Sequence, residues 1–287
     1  MAGIGYDARL ILEWFVPVRF QTPARLLLLT LILFFAACSS RVRMEAAETL
    51  PVDAMYGEAK TALDDGEVKR AVKFYERLVA RFPYGRYHEQ AQIELAYALY
   101  RDNKPDESLS AINRFIKIYP THPRIDYAYY LRGLVNFNRR IGLLEKYFSD
   151  DITRRDLQYV RQSFQDFGEL VNKYPDSSYA PDARQRMVYL RNGLANSELM
   201  VASYYFRRGA YLAAAGRAKF LLETYQESPA TADALAIMAE SYRRIGRAQL
   251  GDEAAQVLKL NYPEHPYLDG NWPAKRSKWK QLNPFAG

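Results

Sequence analysis

The most reactive side chain in this sequence is Cys38, its only cysteine. A thiolate is a strong nucleophile, able to form a thioether or to bind a soft metal. Standing alone, it excludes an intrachain disulfide and a cysteine-built metal cluster. Its surroundings narrow the chemistry further. Leu26 to Ala37 is apolar apart from Thr30, with Arg19 and Arg25 before it. Ala36 and Ala37 directly precede the cysteine, and Ser39 and Ser40 follow. Such a run is too short to span a bilayer, which takes roughly 20 residues. It fits the apolar region of a secretory signal, about 7–15 residues long and ending in small residues.

Phe35-Ala36-Ala37-Cys38 resembles a bacterial lipobox. That resemblance implies a signal peptide over 1–37, a diacylglyceryl thioether on Cys38, cleavage before it and acylation of the new amino group. Several acyl chains anchor stably, because each buried methylene contributes roughly 0.8 kcal/mol. Ser39, rather than Asp, follows the cysteine, which by the same analogy is compatible with export to the outer membrane. Residues 38–50 are small and polar and read as a lipidated tether.

Other chemistry is hard to find. His88, His122 and His265 each lie near a proline-marked connection, and none forms a metal-spaced pair. They are expected to make local loop or cap hydrogen bonds. Acidic residues are scattered, and there is no glycine-rich phosphate cradle. We therefore expect no enzyme, no metal and no cofactor beyond the lipid on Cys38. The net charge of +7 favours acidic partners or anionic surfaces. Without zinc-finger spacing or a strand-borne aromatic motif, nucleic acid is not an expected partner.

From Pro51 onward the texture is that of amphipathic helices. Four segments end alike, at Phe82-Pro83, Tyr119-Pro120, Tyr174-Pro175 and Tyr262-Pro263, and a fifth ends at Tyr225-Gln226. The aromatic recurs at spacings of 37, 55, 51 and 37 residues. Two of these lie close to the tetratricopeptide period of about 34, and the longer two imply a lengthened helix or an inserted connection. Small residues recur where paired helices must approach, as at Ala71, Ala214 and Ala255. Glycine recurs at Gly66, Gly209 and Gly246, where a turn needs positive φ. Proline then stops the second helix of each pair. The spacing predicts helices over 52–65, 68–82, 87–101, 105–119, 124–139, 157–174, 181–208, 211–225, 230–245 and 248–262, with no strands.

The expected fold is all-α, a tetratricopeptide-like superhelix of five stacked helical hairpins. Repeats 1–2 would occupy 51–123, repeat 3 with an insertion 124–180, and repeats 4–5 residues 181–265. Residues 266–287 form a basic aromatic tail expected to dock on the last hairpin or to remain unstructured. The insertion falls between Ile141 and Asp156. Such a superhelix recognises proteins on its inner surface. With 23 Tyr in the chain, the candidates for stacking on a client are Tyr56, Tyr97, Tyr127 and Tyr130. Arg132 is placed with them to pair with a carboxylate.

The chain also carries linked motifs: Arg81-Phe82-Pro83-Tyr84-Gly85, Pro120-Thr121-His122-Pro123, Tyr130-Leu131-Arg132-Gly133-Leu134, Ser163-Phe164-Gln165-Asp166-Phe167 and Arg208-Gly209-Ala210-Tyr211. In these it resembles the BamD (ComL) family, lipoproteins of the bacterial outer-membrane β-barrel assembly machine. That resemblance implies a periplasm-facing scaffold on the outer membrane. It would bind the periplasmic POTRA region of BamA, accessory BamE and BamC-like lipoproteins, and unfolded outer-membrane proteins. Arg191, Arg207, Arg208 and Arg244 are the expected BamA-facing residues. The alternative is a periplasmic tetratricopeptide adaptor in cell-envelope or division processes.

Overall fold

The computed structural model describes residues 50–139 and 157–272. The signal-like segment, Cys38, the connection over 140–156 and the tail beyond Trp272 lie outside the described residues. The described residues form helices α1 (Val52–Asp64), α2 (Val68–Arg81), α3 (Arg86–Arg101), α4 (Pro105–Ile118), α5 (Ile125–Asn138), α6 (Leu157–Lys173), α7 (Ala180–Arg207), α8 (Tyr211–Thr224), α9 (Thr231–Arg244) and α10 (Ala248–Asn261). They contain no strand. Each expected helix is present, with bounds that differ by at most one residue at either end.

Each helix packs on its neighbours in sequence, and α1 also touches α3, α3 touches α5, and α7 touches α9. Contact between alternate helices is what serial stacking of hairpins produces. The even-numbered helices show why the stack forms. Each buries one stripe at helical spacing: Ala71, Tyr75 and Leu78 in α2; Ala111, Ile112 and Phe115 in α4; Val160, Phe167 and Leu170 in α6; Ala214, Ala218 and Leu221 in α8. The other faces carry charge, so packing selects a single rotation.

All five even-numbered helices stop by the same device. The amide N–H of the recurring aromatic donates to the carbonyl four residues back: Phe82 to Leu78, Tyr119 to Phe115, Tyr174 to Leu170, Tyr225 to Leu221 and Tyr262 to Leu258, at 2.7–2.9 Å. Three residues beyond the aromatic, the side chain at His122, Ser177, Ser228 or His265 accepts from the backbone N–H two residues on. Two of the three histidines thus do the work of turn-bracing serines. The third, His88, is buried in α3 against Gln92.

The turns within hairpins also share a form. Gly66, Gly209 and Gly246 have φ of 79°, 76° and 77°. In each, the next N–H reaches a carbonyl five residues back, as in Glu67 to Ala62 and Arg247 to Tyr242. Asn103 takes the equivalent place in the α3–α4 turn with φ 59°, with Lys104 bonded to Leu99. Asparagine tolerates this region better than other non-glycine residues. We expect Asn103→Gly to be neutral or stabilising by a few tenths of a kcal/mol, and Gly66→Ala to cost about 1 kcal/mol. Urea unfolding of each variant measures both.

The 51-residue spacing between Tyr174 and Tyr225 comes from α7, which runs for 28 residues, roughly 42 Å. Its first half, with Ala183, Leu190 and Leu194, closes the core of α1–α6. Its second half, with Ala195 and Ala202, opens the core shared with α8 and α9. The other long spacing contains residues 140–156. After α10 the chain folds back. Trp272 donates to Asp233 at 3.1 Å and packs on Phe206 and Tyr267 at 5.6 and 5.7 Å. The start of the tail therefore seals the last hairpin.

Candidate functional site: an aromatic strip on the odd-numbered helices

Tyrosines on α1, α3 and α5 and just before α7 are linked by ring contacts and by hydrogen bonds to two acids. At one end, Glu94 of α3 accepts from the Tyr56 hydroxyl at 2.9 Å, the Tyr75 hydroxyl at 2.6 Å and Gln90 Nε2 at 2.6 Å. Arg124 approaches the same carboxylate at 3.6 Å. Tyr56 also packs on Tyr87 at 5.4 Å. Arg124 then lies over the Tyr127 ring at 5.0 Å, and Tyr127 packs on Tyr179 at 5.4 Å. Tyr179 stacks on Tyr130 at 4.8 Å with planes 21° apart. The Tyr130 hydroxyl donates to Asp182 at 2.6 Å, as does Arg186. Arg186 in turn covers Phe137 at 4.8 Å.

Burial and the facing acids shape these phenols. Burial, then Glu94, raises the Tyr56 hydroxyl well above the ordinary tyrosine value. Burial, then Asp182, pushes Tyr130 up to about 12. Burial raises Tyr127, reinforced by neighbouring Tyr97 and opposed by Arg124. All stay protonated at neutral pH, and the Tyr56 and Tyr130 hydroxyls are donors committed to Glu94 and Asp182. The rings are half-buried, leaving edges and part of each face for a ligand. A fixed row of rings loses little conformational freedom on binding.

The structure thus brings Tyr56, Tyr127 and Tyr130 onto one strip. Tyr97 sits beside it, its hydroxyl accepting from Arg101 at 2.9 Å. Arg132 lies elsewhere, between α5 and α6, where Nε meets Asp166 and Nη2 meets Glu169, both at 2.9 Å. Its charge is matched within the protein. Sequence reasoning did not single out Glu94, Arg124, Tyr179, Asp182 or Arg186. The Asp182–Arg186 pair has the spacing of one helical turn and was readable. Glu94 was signalled only by being an acid between the buried residues Ile93 and Leu95.

The four arginines of the C-terminal half divide. Arg207 and Arg208 end α7, and Arg244 ends α9, so three exposed guanidiniums share the edge marked by Gly209 and Gly246. Arg208 covers Tyr204 at 5.6 Å, and Arg244 pairs with Glu240 at 2.8 Å. Arg191 lies mid-helix and pairs with Glu227 in the α8–α9 connection. Among the described residues no cluster of His, Cys, Asp and Glu could hold a metal ion. No helix among them is long and apolar enough to cross a membrane.

Comparison with known proteins gives one answer. The YfiO family of outer membrane lipoproteins matches residues 48–258. The chain is 45% identical over 270 residues to the outer membrane protein assembly factor BamD of Xylella fastidiosa (strain 9a5c), covering 93% of this chain and 92% of that one. It is 40% identical over 258 residues to the factor of the same name from Neisseria meningitidis (strain Z2491), covering 88% and 97%. For that of Vibrio cholerae the identity is 35% over 244 residues, covering 85% and 99%. A helical scaffold whose sequence matches these assembly factors along nearly its whole length, the chain belongs to the BamD family of outer-membrane lipoproteins, non-catalytic scaffolds of outer-membrane protein assembly.

Proposed function

We propose that this lipoprotein holds unfolded outer-membrane proteins along the tyrosine strip while its C-terminal edge engages BamA. The observation that carries this reading is the linked row from Tyr56 to Tyr130, supported from behind by Glu94 and Asp182. An extended client can lay aromatic side chains against Tyr127, Tyr130 and Tyr179, with Tyr56 and Tyr97 extending the surface. Arg124 and Arg186, paired with Glu94 and Asp182, cover the Tyr127 and Phe137 rings and hold them in place. Arg132 serves the strip indirectly, by holding α5 on α6. The POTRA region of BamA would meet Arg207, Arg208 and Arg244, with Arg191 bracing α7 through Glu227. BamE and BamC-like lipoproteins are further partners implied by the family. The anchor would be a lipid on Cys38 in the inner leaflet of the outer membrane.

The mechanism is holding and positioning. The client's own folding free energy then drives insertion. Replacing both Tyr127 and Tyr130 by Ala is expected to weaken binding of an unfolded outer-membrane protein by at least about tenfold, since a hot-spot ring is worth 2 kcal/mol or more. Fluorescence anisotropy with a labelled client segment measures it, and circular dichroism checks that the helices persist. Unchanged affinity would remove the strip from client binding. Separately, Arg207→Glu with Arg208→Glu should reduce recovery of BamA in a pull-down at unchanged helicity. Full recovery would exclude that edge.

A further inference from the structure

The edge of the solenoid from which the tether leaves carries a side chain that nothing else explains. Tyr84, between Pro83 and Gly85, is 90% exposed. Gly85 has φ 95°, and the turn pushes the ring outward. On either side stand Arg81 and Arg86, both exposed. Their guanidiniums cover Phe82 and Tyr87, at 4.9 and 5.4 Å. Arg81 also donates to the Leu50 carbonyl at 3.0 Å. That bond ties this turn to the start of the described chain, where the tether arrives. The last turn of α4, on the same edge, adds Lys117 and Ile118, the latter 53% exposed. Further along the edge the equivalent connections carry acids instead: Asp176, Glu227 and Glu264. Lys173 and Lys259 place cations farther along this edge as well, so what sets the tethered end apart is Tyr84 flanked by two arginines with no acid in its connection.

Resting on the reading of Cys38 as the lipidated residue, we propose that this end lies against an anionic phospholipid bilayer, with Tyr84 at headgroup level. Residues 39–49 separate the anchor from Leu50, so even fully stretched the tether reaches only about 40 Å. The tethered end therefore stays within reach of the bilayer at all times. There, tyrosine suits the interface, with its ring toward the acyl boundary and its hydroxyl in water. Each arginine adds attraction to anionic headgroups. The consequence is orientation: the first hairpin faces the membrane and the strip runs from it toward the periplasm.

The test uses the lipidated full chain in vesicles of phosphatidylcholine with phosphatidylglycerol. Lipid on Cys38 leaves no native thiol, so Tyr84→Cys can be labelled alone with an environment-sensitive dye. Leu260→Cys, 75% exposed and far from the tether, gives the comparison. A dry, lipid-quenchable dye at 84 and a wet one at 260 is the expected result. Arg81→Gln with Arg86→Gln should lower the docked-to-free ratio about twenty-five-fold, about fivefold for each arginine, and 0.5 M salt should act likewise. An anchored chain whose dye at 84 is as wet as at 260 overturns the docking alone. A dye equally dry on pure phosphatidylcholine overturns its dependence on charge. A reactive Cys38 thiol in a chain that fails to float with vesicles overturns the anchor, and the docking with it.

Discussion

Arg132→Ala is expected to destabilise the protein by about 3–5 kcal/mol, the cost of stripping one partner from a buried ion pair. Asp166 is left behind with its side chain 2% exposed. It would keep only the donors Asn136 Nδ2, at 2.7 Å, and Gln162 Nε2, at 3.1 Å. Even in the intact protein, burial raises the Asp166 carboxyl above the ordinary value, against the pull of Arg132 and its two amide donors. Without Arg132 it would rise further. The sign of the pH dependence follows. A carboxyl whose folded value exceeds its unfolded one penalises the fold above that raised value and not below the unfolded one. The deficit of Arg132→Ala should therefore be full at neutral pH and shrink as pH falls toward the ordinary carboxylate range. Thermal melts at pH 7.5 and pH 4.5 measure this, with a midpoint lower by roughly 10 °C at the higher pH. A pair of apolar replacements, Arg132→Met with Asp166→Leu, should recover much of the loss. An equal deficit at both pH values would mean that lost packing, and not an unpaired acid, is responsible.

Phe167→Ala is expected to cost about 3–5 kcal/mol, the range for emptying a buried aromatic site. Phe167 is fully buried in α6. Tyr130 packs on it at 5.9 Å and Phe137 at 6.3 Å, so it underlies the middle of the strip. The helices meet closely here because Gly133 has no side chain: a Cβ there would stand 2.6 Å from the Phe167 ring. Ser163 Oγ also donates to the Gly133 carbonyl at 3.0 Å. The two positions are therefore coupled. Gly133→Ala should cost about 1–3 kcal/mol beside Phe167 and much less in the Phe167→Ala background, where the methyl enters the vacated space. A double-mutant cycle by denaturant unfolding reads the coupling, expected at 1 kcal/mol or more. Strict additivity would contradict the contact. Phe167→Leu, nearer in volume, should retain most of the stability and of the strip's client affinity.

The fold was legible because it is written in local signals that repeat. Amphipathic spacing, a glycine within each hairpin and an aromatic before each break act over a few residues, and the helix bounds follow them closely. Where the sequence used a substitute, the same physics remained. Asn103 fills a glycine's place by accepting positive φ, and Gln226 follows an aromatic whose helix already ends through the Tyr225–Leu221 bond. The tyrosines of the site were readable as half-polar residues on helical faces. Their partners were not. Tyr56 meets Glu94 across 38 residues, and Tyr130 meets Asp182 across 52. No local spacing encodes such a choice, which depends on how one hairpin settles on the next. Arg132 shows the same limit. Its charge alone suits it to the tyrosines, but Asp166 and Glu169, one helical turn apart on α6, take up both sides of its guanidinium.

Client capture along the odd-numbered helices is tested most directly by a photo-crosslinking amino acid at position 127 in living cells, with Phe220 as the comparison. Phe220 is 42% exposed on α8, away from the strip. Crosslinks at 127 to newly exported outer-membrane proteins before they fold, and few or none at 220, are the predicted result. Equal yields at both positions, or none at 127 while the complex stays assembled, would contradict it.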